Sequence, residues 1–463
     1  MKESVIGKIV VIVLAVTGLV SLYDWLVTAP PFMLEERVPG MDKADLAAVP
    51  EGSRFGPDGE LIRSAGVPAE FKGAWPCFRG KDLDNISKDQ FTPIPSGSGF
   101  PLCWAIEVGE GFAGAVILDG CVYMLDYDRE KQADALRCLS LADGAEIWRY
   151  SYPVSIKRNH GMSRTIPYVT DDFVVAIGPK CHVTCLHSQT GDKKWSLDLV
   201  YAYNAEVPPW YAGQCPLVDQ GRVILAPGGT ALIIAVDSDT GETIWETPNP
   251  HDWKMTHSSV MPMDFHGKRT YVYCAGGGVV GVSAEDGRIV WEYPGWKINI
   301  ANVPSPLIIG EDRIFLSGGY NAGSVMLRLE EKEGQITPTV LFRMEPERFG
   351  STQHTPILYE GHIYGVRPDG QLVCFDPDGN EKWTSTGANK FGLGPYMIAG
   401  SMIYVMNDTG LLSRVEATSE AFRLVDQTQL LQGHDSWTPI AFASGRMILR
   451  DLTRMICVEA AVK

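Results

Sequence analysis

Arg158, His160, Arg164, His257, Asn302, Gln353, His354 and Trp437 are the residues of this 463-residue chain whose types suit a ligand site. Cations and imidazoles bind anions, amides bind amides or hydroxyls, and an indole stacks, so together they would take a polar or anionic small molecule or a peptide. Spread from position 158 to 437, they form a site only if the fold brings loops from many elements to one place. A second set, Trp210, Tyr211, Trp253 and Trp296, lies in or beside the same loops. If exposed, it forms an aromatic patch for a protein partner or a glycan. Other chemistry is poorly supported. His160, His257 and His354 bring no clustered carboxylates, and Cys181 and Cys185, about 13 Å apart on one strand face, are too far apart to share a metal. No Gly-x-Ser-x-Gly elbow is present. The expectation is no metal and no catalytic residue.

The elements that must position these residues are legible from a repeat. Gly144 to Trp148, Gly191 to Trp195, Gly241 to Trp245, Gly287 to Trp291 and Gly379 to Trp383 are all four apart. Aromatic positions Trp104, Trp148, Trp195, Trp245, Trp291, Phe342, Trp383 and Phe422 recur at the period of a propeller blade. Upstream of each turn comes a strand rich in Val, Ile and Tyr, such as Val223-Ile224-Leu225, Thr270-Tyr271-Val272-Tyr273 or Met402-Ile403-Tyr404-Val405. Each unit therefore reads as a four-stranded antiparallel meander. Gly supplies the positive φ of the last turn, and the Trp lies flat between neighbouring blades.

The last unit, near 438–443, 446–451 and 455–460, lacks a fourth strand, whereas residues 102–108 with Trp104 have a fourth-strand signature and nothing before it. Joining the two predicts an all-β, eight-bladed propeller over 102–463, closed by its N-terminal strand so that no sheet edge is left open at the seam. Trp104, Trp148, Trp195, Trp245, Trp291 and Trp383 are assigned to blade docking. The fifth unit, with eight residues from Gly334 to Phe342, and the seventh, with Thr418-Ser419-Glu420 in place of the Gly turn, are expected to dock less regularly.

Residues 5–27 are apolar apart from Lys8, Asp24 and small hydroxyl residues, and in a helix would span roughly 34 Å, enough for a bilayer core. Lys2 and Lys8 precede this stretch, while Asp24, Glu35 and Glu36 lie at or beyond its end, which sends the body to the extracytoplasmic, periplasmic side. Val27-Thr28-Ala29 has the small residues a signal peptidase wants, whereas Pro30 disfavours cleavage, so residues 1–27 are read as a membrane anchor, with a signal sequence as the alternative, and 28–101 as an extended linker with a lead-in segment. The net charge of −16 argues against nucleic acid. The ten Cys match no compact disulfide framework and are expected to be mostly free and buried.

The stretch Ala235-Val236-Asp237-Ser238-Asp239-Thr240-Gly241-Glu242-Thr243-Ile244-Trp245 resembles the docking motif of the quinoprotein-like (PQQ-repeat) β-propellers, and four other units match its Gly and Trp. The resemblance covers 102–463. Trp75-Pro76-Cys77-Phe78-Arg79-Gly80 is similar to a segment that precedes the first blade in exported bacterial members. The superfamily holds dehydrogenases that carry pyrroloquinoline quinone and calcium at the propeller axis beside two adjacent Cys. It also holds non-catalytic members, such as the lipoprotein subunit of the outer-membrane β-barrel assembly machinery. This chain has no Cys-Cys pair and lean blades. The resemblance thus implies a non-catalytic exported member, without cofactor, that binds protein partners in a cell-envelope complex and the membrane through its helix. The alternatives are a quinone-dependent dehydrogenase with an atypical site, the one reading that brings in the quinone and calcium, and a carbohydrate-binding propeller.

Overall fold

In the computed structural model, which describes residues 2–28 and 56–462, eight antiparallel sheets follow one another along the chain. Blades 1 to 7 occupy residues 115–153, 168–198, 217–248, 261–293, 307–344, 357–384 and 396–429. Blade 8 takes three strands from 441–459 and its fourth from Leu102–Glu107, which pairs antiparallel with Arg454–Glu459. The predicted closure is therefore present. First strands of successive blades approach one another, as 115–118 does with 441–443 and 168–169, so they line the axis.

The docking rule has more parts than the Gly-to-Trp spacing discloses. In every blade the third and fourth strands slip by one residue at the same place, a β-bulge beside the docking position. Opposite the aromatic stands a small residue in all six Trp blades: Cys138 faces Trp148, Cys185 faces Trp195, Ala235 faces Trp245, Gly281 faces Trp291, Cys374 faces Trp383 and Cys457 faces Trp104. Four of the ten Cys are thus small packing residues beneath an indole. All ten are free, and nine are buried.

The turn glycine serves the neighbouring blade. Gly144 has φ 74°, and a Cβ there would stand 2.9 Å from the ring of Trp104; Gly191 relates to Trp148 and Gly241 to Trp195 in the same way. Positive φ and close approach together exclude any side chain. The carbonyl three residues before that glycine accepts the indole N–H of the preceding blade. Trp104 donates to Leu141 at 3.0 Å, Trp148 to Ser188 at 3.1 Å, Trp195 to Ser238 at 2.9 Å and Trp245 to Ala284 at 3.2 Å.

The two irregular units behave differently from each other. Blade 5 runs its last hairpin out as Gly323–Lys332 and Gln335–Met344 and offers no such turn, so the buried Nε1 of Trp291 has no acceptor. In blade 7 the turn still serves its neighbour, since Trp383 donates to the Thr418 carbonyl at 2.7 Å. There the register corrects the sequence reading. The residue at the docking position is Asp426, paired with Arg414, and Phe422 packs against Trp383 of blade 6 at 5.8 Å between centroids. Arg414 is buried, salt-bridged to Asp426 and donates to the carbonyls of Ile94 and Pro95. A buried ion pair takes the place of the Trp at the junction of blades 7 and 8.

The linker expectation fails from residue 56 onward, while 29–55 lie outside the described residues. Glu60–Arg63 adds an antiparallel strand to the outer edge of blade 1, and Leu61 reaches the Trp148–Gly191 contact. Ala74–Trp75 pairs with the innermost strand of blade 1, and Ile86–Ser87 pairs parallel with that of blade 7. Between them the Pro76 carbonyl accepts from Val169 of blade 2, and Leu83 packs on the core shared by blades 3 and 4. The segment therefore circles the axis as a plug. The motif residues explain its form: Trp75 lies against Gly80 (φ 78°), and Arg79 is buried with its guanidinium on four carbonyls. Those are Leu83 at 2.8 Å, Asp84 at 3.2 Å, Thr355 at 2.9 Å and Pro356 at 3.0 Å.

Lys2–Thr28 is one helix, and its Gly7–Trp25 stretch is long and apolar enough to cross a membrane.

Candidate functional site

Loops from each fourth strand to the next blade's first strand gather at the mouth of the channel, and a ladder of main-chain donors ties them together. Ile166 N–H donates to Cys215 Sγ, Cys215 N–H to Ser259 Oγ at 2.9 Å, Ser259 N–H to Ser305 Oγ at 3.0 Å, and Ser305 N–H to Thr355 Oγ1 at 2.8 Å. Each link crosses one blade boundary from blade 2 to blade 6, which fixes the loops relative to one another. Five non-glycine residues of the mouth hold positive φ: His160 (46°), Trp210 (63°), Tyr211 (72°), Asp252 (52°) and Asp435 (61°). Such backbone costs about 1–3 kcal/mol per residue and gathers where shape serves function.

The predicted polar residues separate into three groups. Arg158 points outward, exposed, in an ion pair with Glu110 at 2.6 Å; His160 is exposed beside it. Arg164 joins an arc: its guanidinium lies over Phe112 at 5.6 Å, and Phe112 stacks on Trp437 at 5.2 Å. Its N–H groups go to the carbonyls of Asn159, His160 and Gly161, so it shapes its own loop. Trp437 donates to Asp408 at 2.8 Å. His257, Asn302 and His354 turn inward. Gln353 is half-buried beside His354.

His257 and His354 each keep an Nε2 atom buried with no protein partner, and Asn302 so keeps both side-chain polar atoms. Burial is the main force that pushes both imidazoles down to about 4, with Arg164 acting on His257 and Arg79 on His354 in the same direction. The unfolded chain then takes up these protons first. Their contribution to stability is complete above about pH 6.5 and is lost as the pH falls towards about 4. Buried Asp134, raised to about 8, has the opposite sign: its contribution is complete below about pH 4 and is lost as pH rises through about 8. Thermal melts from about pH 7 down to about pH 4.5 should show a falling Tm that the double variant His257→Gln, His354→Gln flattens. Parallel curves for parent and variant would refute the assignment.

The aromatic patch is corrected. Tyr211 and Trp296 are 1% and 3% exposed, Tyr211 because its hydroxyl donates to the Lys157 carbonyl at 2.7 Å beneath its own loop and Trp296 because it joins the core between blades 4 and 5. Trp210 and Trp253 remain half-buried. Trp253 lies flat on Gly277, where a Cβ would meet its ring at 2.2 Å, and His251 covers it at 5.3 Å between centroids.

A cavity of about 460 Å³ opens off the axis, lined by Pro208 and Pro209 from the loop after blade 2, His251 to His257 after blade 3, Gly276-Gly277, and Lys297 to Asn302 after blade 4. Its position was not legible in the sequence, because it depends on how four separate segments stand against each other. Among the described residues, no group of three or more His, Cys, Asp or Glu is placed to hold a metal ion.

Eight four-stranded blades around a common axis, with Trp docking on a neighbour's Gly turn, define a PQQ-like β-propeller. Residues 132–385 match the family PQQ_2, described as Outer membrane protein assembly factor BamB, and the chain belongs to that family. Among solved structures, BamB from Moraxella catarrhalis is 13% identical with TM-score 0.51, over 86% of this chain and 100% of that one. A europium-containing methanol dehydrogenase is 12% identical with TM-score 0.59, over 81% and 89%. Quinohemoprotein alcohol dehydrogenase from Comamonas testosteroni is 12% identical with TM-score 0.57, over 84% and 81%. At these identities the likeness is one of fold. No curated protein matches the sequence.

Proposed function

We propose that this protein is a non-catalytic interaction platform of a cell-envelope complex, held at the extracytoplasmic face of a membrane by its N-terminal helix and presenting the channel mouth to a protein partner. The observation that carries the reading is how the arginines around the channel are used. Pyrroloquinoline quinone is a tricarboxylate and needs cations with free N–H groups around it. Arg164 gives its donors to its own loop, Arg450 to the carbonyls of Ala113 at 3.0 Å and Gly109 at 2.7 Å, and Arg79 to four carbonyls. No two Cys are adjacent in sequence. The residues present do not fit that cofactor. They hold a plugged channel and a rigid, strained mouth, which is a surface built to be recognised. Membership of a family described by an assembly factor supports the same reading.

The test is co-purification of the full chain from native membranes in mild detergent, with identification of what accompanies it. Envelope proteins recovered in fixed proportion are expected. Stoichiometric binding of added pyrroloquinoline quinone and calcium, with dye-linked oxidation of an alcohol or sugar, would overturn the platform.

A further inference from the structure

The seam of the ring carries an inference that goes beyond the platform reading and takes from it only the extracytoplasmic placement. At each docking bulge of the Trp blades one residue is extra, and it stands immediately before the Trp. It is Ile147, Lys194, Ile244, Val290 and Lys382 in blades 1 to 4 and 6, and Cys103 in blade 8. Opposite that bulge in blade 8 stands Cys457. Among the six described Trp blades, blade 8 alone has a thiol on both sides of the bulge. It is also the blade whose strands come from the two ends of the propeller.

The geometry suits a bond. Directly opposed residues of antiparallel strands stand roughly 4.5–5.5 Å apart at Cα, and a disulfide spans about 4.4–6.8 Å. The Cys103 and Cys457 thiols lie within hydrogen-bonding reach of each other. The other close pair, Cys121 and Cys138, is two residues out of register, because Cys138 pairs with Tyr123 and Cys121 with Ser140. That diagonal is about 7–8 Å, beyond the span of a disulfide.

Reactivity is divided between the partners. Cys457 is buried opposite Trp104, whereas Cys103 is half-buried, with its Sγ 3.8 Å from Glu459 Oε2. The hydrogen bond from the Cys457 thiol, aided by the Arg446 guanidinium, draws the Cys103 pKa down to about 7, and Cys457 is held protonated. Cys103 is therefore the thiolate that reacts first. We propose that Cys103 and Cys457 are joined by a disulfide in the exported protein, which closes the propeller covalently at its seam. The Cys103 thiolate attacks one sulfur of an oxidant disulfide, breaking that bond and expelling one thiolate. Cys457 Sγ then loses its proton, attacks Cys103 Sγ in the mixed disulfide and expels the second. Two electrons pass to the oxidant, a protein or glutathione disulfide of an oxidising compartment, and the released thiolates take up the protons. The bridge restrains the unfolded chain over nearly the length of the propeller and stops blade 8 from shedding its fourth strand.

The full chain, reduced and purified in detergent micelles, is treated with oxidised glutathione, alkylated and mapped by peptide mass spectrometry. A Cys103–Cys457 cross-linked peptide is expected, and none from Cys103→Ser. The oxidised parent should melt about 5 °C above the reduced parent. Cys103→Ser, on a half-buried residue, should melt with the reduced parent and ignore the oxidant. Protein alkylated directly in native membranes, before any reductant, should carry the same bridge. A mixed disulfide at Cys103 that Cys457 does not displace, a bridge that leaves the melt unchanged, or free Cys103 and Cys457 in native membranes would overturn the proposal. Partner capture is read separately: a chain that bridges but recovers no envelope proteins refutes the platform and leaves the bridge standing.

Discussion

Trp148→Ala should lower stability by about 3–5 kcal/mol, the cost of emptying a large aromatic site in a packed core. Trp148 is 1% exposed, and its ring is held by Cys138 within its blade, Gly191 of blade 2 and Leu61 of the N-terminal strand. Three segments lose a common contact at once. A milder pair of substitutions isolates the hydrogen bond. Trp148→Phe keeps most of the ring but deprives the Ser188 carbonyl of its donor, whereas Trp291→Phe removes an N–H that has no acceptor. Chemical denaturation should therefore find Trp148→Phe more costly than Trp291→Phe by about 1–2 kcal/mol. Equal losses, or a larger one at Trp291, would show that the indole N–H contributes nothing to docking.

The difference between those two tryptophans shows what a sequence discloses in this fold. The four-residue Gly-to-Trp spacing is local, so the turn, the strand after it and the count of eight blades were all legible. Which blade the glycine serves was not, since Gly191 meets the Trp of the blade before it. The same holds for Cys138, Cys185, Cys374 and Cys457, which look like unassigned thiols along the chain and become one structural position once strands are paired. Phe422 was misplaced because an aromatic at about the right interval outweighed a register in which Asp426 and Arg414 hold the docking site. The plug was misread as a linker for another physical reason. Its strands are two residues long, and its binding groups are main-chain carbonyls and one guanidinium, neither of which leaves a hydrophobic period. Among the candidate site residues, loop position was right for His257, Asn302 and His354, yet the direction in which each side chain points is set by backbone such as the left-handed pair Trp210–Tyr211, which residue types do not announce.

Arg79→Met should be nearly as damaging as loss of a docking Trp, for an electrostatic reason. Burial lowers the Arg79 pKa only to about 10, so the guanidinium is charged at neutral pH, and it reaches carbonyls on two sides: Leu83 and Asp84 of the plug, and Thr355 and Pro356 where blade 6 begins. A methionine fills much of the volume but leaves four carbonyls without a donor, those of Thr355 and Pro356 buried and those of Leu83 and Asp84 half-buried. Buried groups so orphaned cost about 1–3 kcal/mol each when fully desolvated, and rearrangement recovers part of that, so a net loss of about 3–5 kcal/mol is expected. The same variant reports on the channel mouth. Thr355 follows His354 directly, and the Arg79 charge is one of the forces holding that imidazole neutral. With Arg79 gone the His354 pKa should move up towards the ordinary range, and the part of the acid limb that His354 supplies should become shallower, because less separates its folded and unfolded pKa values. Histidine ring resonances followed through a pH titration, beside denaturant melts, measure both. A variant that loses stability but leaves His354 unmoved would show that the plug supports the blades without reaching the mouth. A variant that changes neither would remove Arg79 as the link between the plug and the mouth.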